Sequence, residues 1–397
     1  MKLTVPELLM DVIQAFKVRV PGINNMGRDF RVQSLKLGQE YKAHIASVPG
    51  VTDYDEDNGG YEANATDARS LLTEVPITVD KHRKVSLSWR HLDQIADQKN
   101  EYDKVIGNTG YALAKDVVMS VVGKASARTL SEQTVLTTAN SDYDAVSGIR
   151  DDMNLAGASP FGRAGLVSTA VASALHLDNR ILSADYKGDM QGANAHRVFQ
   201  NVAGFGQVEE WPEMPDNSGA IQALDSVANG TDTFTLAAHG LEDGDRVQFS
   251  GTTIPTGLAA STDYWVRDGA TDTFKVSAAS DGAAVNITSD GAAVSVQRRE
   301  YLNGLFWEPR ALAILAGIPD DTTDLAERLG IPQVVGIEVV TDPDTGLSMM
   351  GITSQKQGTL NLFLHVTMVW GSAVGKQLST NAAGSLTDFA GHRLITQ

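Results

Sequence analysis

The sequence predicts an α+β protein of more than one domain, with an all-β unit spliced into a mixed scaffold. Three observations predict it. Helical and strand periods alternate toward both ends of the chain. Residues 217–299 break that alternation with short blocks rich in Thr, Asp, Gly, Ala and Val and no helical period. The length, 397 residues, exceeds that of one typical domain.

The first element is a helix over residues 1–20. Pro6 suits its first turn, and Leu8, Leu9, Val12, Ile13 and Phe16 fall on one face. Residues 21–74 are rich in Gly, Asn, Asp and Ala and predict a loose extended arm, so 1–74 reads as helix plus arm. Asp53-Tyr54-Asp55-Glu56-Asp57-Asn58-Gly59 begins like a calcium loop. It departs at the sixth position, Asn58, and the twelfth, Asn64, so it reads as a solvated turn.

Over 75–90, the alternating runs Val75-Pro76-Ile77-Thr78-Val79 and Val85-Ser86-Leu87-Ser88-Trp89 flank the polar Asp80-Lys81-His82-Arg83-Lys84. That pattern predicts a β-hairpin with its tip at 80–84. A long helix follows within 91–130, roughly 100–128, on Tyr102, Ile106, Leu113, Val117 and Val121. Gly107 and Gly110 weaken its first half.

Residues 131–216 alternate again. Ile149, Met153 and Leu155 predict a helix ending before Pro160, Gly165–Thr169 a buried strand, and Ala170–Leu175 a helix. Trp211-Pro212-Glu213-Met214-Pro215 and the polar residues after it predict a boundary.

The unit 217–299 contains two internal echoes. Thr231-Asp232-Thr233-Phe234-Thr235-Leu236 returns as Thr271-Asp272-Thr273-Phe274-Lys275-Val276, and Ser280–Val285 returns as Ser289–Val294. Each Asp-Gly predicts a turn and each flanking Val or Phe a strand. Between 217 and 297, ten Asp or Glu face three Lys or Arg, a net of −7 that suits a projecting module. Within 300–397 the mixed pattern resumes. Leu305–Ala313 predicts a strand leading into a helix, Val334–Val340, Leu347–Ile352 and Leu360–Val369 predict strands, and a polar tail follows.

Composition narrows the chemistry. Hydrophobic residues at 42% and charged residues at 20% give enough apolar surface for a core. Zero cysteines exclude disulfides, zinc–thiolate sites and thiol nucleophiles, and fit a reducing compartment. The formal charge of −17 argues against gripping nucleic acid through its phosphates. Met1–Pro6 does not open a signal peptide, and no run of about 18 apolar residues predicts a membrane span.

The histidines, His44, His82, His91, His176, His196, His239, His365 and His392, form no pair at metal spacing. Gly371-Ser372-Ala373-Val374-Gly375-Lys376 fails as a phosphate loop, because Trp370 and Gln377 stand where Gly and Ser or Thr belong. Gly204-x-Gly206 lacks the third glycine of a dinucleotide loop, and no Gly-x-Ser-x-Gly elbow occurs. The expectation is no enzyme, with no catalytic, cofactor-binding or metal-ligating residues.

Several stretches resemble, in order, the tailed-bacteriophage major capsid (coat) proteins of the Hong Kong 97 fold. The closest likeness is to podovirus coat proteins that carry an inserted β-domain. Ile77–Trp89 with the following helix resembles the extension hairpin and spine helix. Val202-Ala203-Gly204-Phe205-Gly206-Gln207-Val208 with Met214-Pro215 is similar to the passage before the family's insertion point. Leu305–Ala311 resembles the segment after it, and Leu362–Gly371 a late strand and turn. The segment Leu236–Val247 resembles a β-module of phage structural proteins.

The resemblance implies an N-terminal arm, extension hairpin, spine helix and α/β axial domain, with an inserted all-β, barrel-like domain. It also implies self-assembly into hexamers and pentamers of an icosahedral head, with scaffolding protein, portal and packaged double-stranded DNA as partners and no membrane. Location would be the virion, and the host cytoplasm during assembly. Lys81, Arg83, Lys84 and Trp89 become candidate subunit contacts. A tail-tube or decoration protein, an encapsulin-type shell and a metal-free hydrolase are the alternative readings.

Overall fold

In the computed structural model of the chain, the described residues are 5–19, 26–46, 72–90, 99–125, 130, 133–136, 143–178, 198–214, 216, 218–279, 282–319, 334–342, 347–355, 361–375, 377–378, 386–387 and 391–396. The calcium-like segment 53–64 lies outside them.

Helix α1 (Val5–Arg19) buries Leu9, Val12, Ile13 and Phe16, as the spacing predicts. Part of the predicted loose arm is instead ordered as β1 (Gly27–Leu35) and β2 (Glu40–Ala46). Each gains its order from a partner distant in sequence, which local composition does not reveal.

The predicted hairpin is a single strand, β3 (Leu72–Arg90). Residues 72–78 pair with β2, and residues from Val79 onward pair with a later strand. The polar stretch 80–84 does not reverse the chain; it contains a β-bulge. Lys81 stands opposite Trp370 and Val79 opposite Gly371, so Asp80 is the extra residue. An extra residue inverts the alternation of faces. Ile77 and Val79 therefore cluster with Leu35, Leu315 and Val369, whereas Val85 packs into the core under the helices.

Helix α2 (Lys99–Val122) crosses α1 closely, and both cover one sheet face. Gly110 makes this possible, since a Cβ there would lie 2.7 Å from the Val12 carbonyl oxygen and 2.8 Å from the Ala15 Cβ.

Next come β4 (Gln133–Leu136), α3 (Tyr143–Leu155), β5 (Ala164–Val167), α4 (Thr169–Leu177), β6 (Val198–Val202) and β7 (Phe205–Glu210). Ser168 caps α4 by accepting from the Val171 N–H. Ala145, Ile149, Met153, Val171 and Leu175 bury against Phe199, Phe205 and Phe306, while Leu155 turns outward and is exposed.

The 217–299 unit is all-β: β8 (Gln222–Ala223), β9 (Ser226–Ala228), β10 (Thr233–Thr235), β11 (Arg246–Ser250), β12 (Asp263–Arg267), β13 (Thr273–Ser277) and β14 (Ser295–Arg298). They form one seven-stranded sheet, ordered β8-β14-β11-β12-β13-β10-β9, whose end strands are consecutive in the chain. The first sequence echo is a pairing: Phe234 of β10 stands opposite Phe274 of β13. Their rings lie 5.3 Å apart, and Phe249 is 4.8 Å from Phe234, in a core of their own. Of the second echo, Ser280 and Asp281 lie outside the described residues.

The last part contains β15 (Leu302–Trp307), β16 (Leu312–Pro319), β17 (Val334–Thr341), β18 (Ser348–Gln355), β19 (Asn361–Val374), β20 (Gln377–Leu378), β21 (Leu386–Thr387) and β22 (Gly391–Thr396). The helix expected after Leu305–Trp307 is the strand β16. Its apolar run Leu312-Ala313-Ile314-Leu315-Ala316 sits between β1 and β19, and a strand paired on both edges reads like a buried helix. The polar tail also contains a strand. Within β22, residues 391–395 are buried, and the strand lies between β4 and β15.

One sheet follows β1-β16-β19-β18-β17. The long β19 holds β3 along one edge and both β16 and β18 along the other. The second sheet is β4-β22-β15-β5-β7-β6.

Candidate functional site

Of the predicted contact residues, Lys81, Arg83 and Lys84 lie in the middle of β3 and Trp89 near its end, and the strand's neighbours decide which way each of the first three points. Trp370, opposite Lys81, is buried among the helices and donates from Nε1 to the Ser120 hydroxyl at 3.0 Å. Lys81 and Arg83 share that face. Arg83 reaches Asp116 of α2 at 3.2 Å, and both side chains are about half exposed. Asp80, the bulged residue, lies 3.6 Å from Lys81 and 3.8 Å from Lys124, whose ammonium also donates to the Ser372 carbonyl. The bulge thus gathers cations from the strand and from the end of α2.

Lys84 points to the opposite face, so the three basic residues do not form one patch. Beside it, His365 shares hydrogen bonds with Ser86 at 2.7 Å and Ser354 at 3.1 Å. Burial, and then the Lys84 charge, lowers the His365 pKa. His82 bonds Thr367, which donates onward to the Arg83 carbonyl. This face of β3, β19 and β18 therefore presents a stripe of Ser, Thr, His and Lys. Trp89 stands opposite Leu362 in the ladder, and its side chain lies outside the described residues.

The chemical near-misses resolve structurally. Gly371–Val374 belongs to strand β19, not to a loop opening a helix, so it is no phosphate cradle. Gly204 forms the tight turn joining β6 to β7 at φ +88°. His392 is buried beside Thr134 at 2.8 Å, and burial, then Arg393, lowers its pKa to about 4. Among the described residues no three His, Asp or Glu side chains form a metal-sized group, and no helix is long and apolar enough to cross a membrane. Tyr264 and Trp265 are buried; the Tyr264 hydroxyl accepts the Ala259 N–H at 2.9 Å, which makes them core rather than an exposed platform.

Sequence reasoning missed the junction between the inserted sheet and the second sheet. The unit is entered and left through paired segments, with an Asp216–Tyr301 bridge. Gly219 donates to the Arg298 carbonyl, and the Glu300 N–H donates to Ser218 Oγ. Accepting hydrogen bonds from Ser218 lowers the Asp216 pKa. Beside this stem, Glu300 lies 3.4 Å from Arg298 and 3.7 Å from Arg393 of β22. The run Arg298-Arg299-Glu300 was the available signal, but its partners are scattered from residue 133 to residue 393.

No protein-family profile matches the chain, and no curated protein matches it. Among solved structures, the chain is similar to several phage capsids at low identity. The chain is similar to the capsid of Ralstonia phage GP4 at 8% identity and a TM-score of 0.43, covering 93% of this chain and 86% of that one. It is similar to the capsid of cyanophage P-SCSP1u at 12% identity and a TM-score of 0.42, covering 92% and 86%. Likewise, it is similar to the asymmetric unit of the bacteriophage PhiM1 mature capsid at 12% identity and a TM-score of 0.41, covering 94% and 86%.

Proposed function

We propose that the chain is the major capsid protein of a tailed phage, a non-enzymatic subunit that assembles into the icosahedral shell around double-stranded DNA. The observation that carries this reading is a joint one. The stretches that resemble the capsid family in sequence fall, in order, on a strand shared between sheet and extension (β3), a long helix (α2), the β6–β7 hairpin before the insert and the β15 strand after it.

In this reading α1 is part of the N-terminal arm, and β2 with β3 forms the extension that lies over a neighbour. Helix α2 is the spine, the β4–β22 sheet with α3 and α4 is the axial domain, and the seven-stranded unit is the barrel-like insertion. A shell subunit presents several surfaces to copies of itself, and symmetry lets one set of surfaces satisfy many contacts. The exposed Arg83 and Lys84 are suited to acidic surfaces of other copies, which a chain of net charge −17 offers in abundance. That charge also makes a wall from which packaged DNA is repelled and along which it slides. Scaffolding protein and portal are the further partners this reading calls for, with the virion as the final location and host cytoplasm as the place of assembly.

The test is expression of the full chain with and without a candidate scaffolding protein, followed by sedimentation and negative-stain microscopy. Closed shells, or capsomer-sized rings and broken shells, are expected. A compact monomer or small oligomer under every condition counts against the reading.

A further inference from the structure

In the dipeptide Asn-Gly a side-chain amide stands next to a backbone nitrogen that no following Cβ shields. It occurs three times in the chain, at 58–59, 229–230 and 303–304. The first lies outside the described residues, and the other two sit in opposite settings.

Asn229 and Gly230 lie in the turn joining β9 to β10, and both are exposed. The turn is tied at its ends. The Asn229 N–H donates to Asp290 Oδ1 at 3.1 Å, the Thr231 N–H donates to the Ala228 carbonyl at 3.2 Å, and Asp232 Oδ1 accepts the Ile287 N–H at 2.7 Å. Between those ties the Gly230 N–H and the Asn229 carboxamide have no hydrogen bond among the described residues. A Cβ on Gly230 would meet nothing within 4 Å, so the peptide group joining the two residues has room to turn.

Asn303 and Gly304 lie in β15, where Gly304 stands between Val167 and Leu394 of the flanking strands. Asn303 is buried. Its Oδ1 accepts from the Ser168 hydroxyl at 3.2 Å, and its carbonyl accepts the Ser168 N–H at 2.6 Å. A ladder on both sides holds this backbone extended and keeps the amide away from the next nitrogen.

We propose that Asn229 is a site of spontaneous deamidation, in which the chain itself supplies the nucleophile. The Gly230 nitrogen gives its proton to water and bonds to Asn229 Cγ. The Cγ–Nδ2 bond breaks, and Nδ2 takes up a proton and leaves as ammonia. Water then opens the cyclic imide at either carbonyl, which leaves aspartate or isoaspartate at position 229, and nothing is oxidised or reduced. Either product sets a new carboxylate near Asp290, in a unit that already carries a net of −7 between residues 217 and 297. Isoaspartate also adds a backbone carbon to the turn that seats β10 against β9. The site is independent of what the chain assembles into.

The test incubates the purified full chain at mildly alkaline pH and follows single residues by peptide mass spectrometry, with fragment ions locating each amide that becomes a carboxyl. In the folded chain Asn229 is expected to convert about tenfold faster or more than Asn303, which reacts only after local opening. In concentrated urea both sites are freed, and their rates should converge. Gly230→Ala places a methyl in open space, shields the attacking nitrogen, and should suppress conversion at 229 with little change in melting temperature.

Comparable rates at 229 and 303 in the folded chain overturn the proposal, as does conversion at 229 that Gly230→Ala leaves unchanged. Should that variant fail to fold, the comparison of 229 with 303 in the unsubstituted chain decides alone.

Discussion

Gly110 of α2 lies so close to Val12 of α1 that a Cβ at Gly110 would stand 2.7 Å from the Val12 carbonyl oxygen. The two helices meet backbone to backbone, and the residue that weakens α2 in isolation is what allows it to seat α1. Gly107, one turn earlier, has nothing within 4 Å of its would-be Cβ. Opposite outcomes follow for one substitution. Gly110→Ala is expected to destabilise the subunit by about 1–3 kcal/mol through overpacking. Gly107→Ala should stabilise it by about 0.5–1 kcal/mol through helix propensity. Urea unfolding of the two purified variants checks this, and equal effects of the same sign refute the close crossing.

The bulge at Asp80 sets which face of the sheet Ile77 and Val79 occupy. Deleting Asp80 should restore plain alternation and drive these two buried side chains out of their cluster with Leu315 and Val369. The deletion variant is expected to lose soluble expression, whereas Asp80→Ala, which keeps the residue count, retains it. Comparable soluble yields from both variants show that the bulge is dispensable.

His392 gives the fold a defined acid sensitivity. Its pKa is about 4 in the folded chain against 6.5 in the open one, so the unfolded state binds more protons between these values. Its contribution to stability is complete above pH 6.5 and falls as the pH drops toward 4, by about 3 kcal/mol in all. Denaturation midpoints measured from pH 7.5 to 4 should show this slope, and His392→Gln should flatten part of it. An unchanged slope in that variant removes His392 from the account.

Arg83 and Asp116 form an exposed pair, and such pairs contribute under about 1 kcal/mol. Arg83→Ala and Lys84→Ala should therefore leave the subunit's melting temperature nearly unchanged. Under the assembly reading they should lower the yield of shells or rings, as measured by sedimentation. Full assembly of the double variant means these side chains face solvent rather than a neighbouring copy.

The stem of the inserted unit brings Asp216 beside Tyr301, so residues 217–299 can be replaced by a short glycine-serine turn without spanning a gap. The deletion is expected to impair folding or the control of shell size, because it removes Arg246, Arg298 and Arg299 from beside Arg393 and Glu300. Normal shells of one size, seen by electron microscopy, count against any bracing role.

Legibility in the sequence tracked how local each signal was. The apolar spacing of Leu9, Val12, Ile13 and Phe16 announced α1, and the echo around Phe234 and Phe274 announced an all-β unit, because both patterns complete themselves within a few residues. Elements made by distant partners were hidden. Strand β1 exists because β16 lies beside it, β16 reads as helix because both its edges are covered, and β22 holds only Leu394 and Ile395 as strong apolar signals. The 80–84 stretch reads as a turn in the sequence and is a bulge in the fold, since a polar break signals a bulge as readily as a turn. The arginine junction was beyond reach, because Arg246 and Arg393 are neighbours only after three segments of chain have folded together.

Strand β3 carries one further consequence. It runs without interruption from the ribbon it makes with β2 into the ladder it makes with β19, and the bulge twists it without cutting it. A ribbon built this way has no joint where it enters the sheet. Torque applied to the ribbon passes along covalent backbone into the central strand of the sheet, and from there to Trp370 and its hydrogen bond with Ser120 on α2. The ribbon and the long helix are thus coupled through one continuous strand and its ladder with β19.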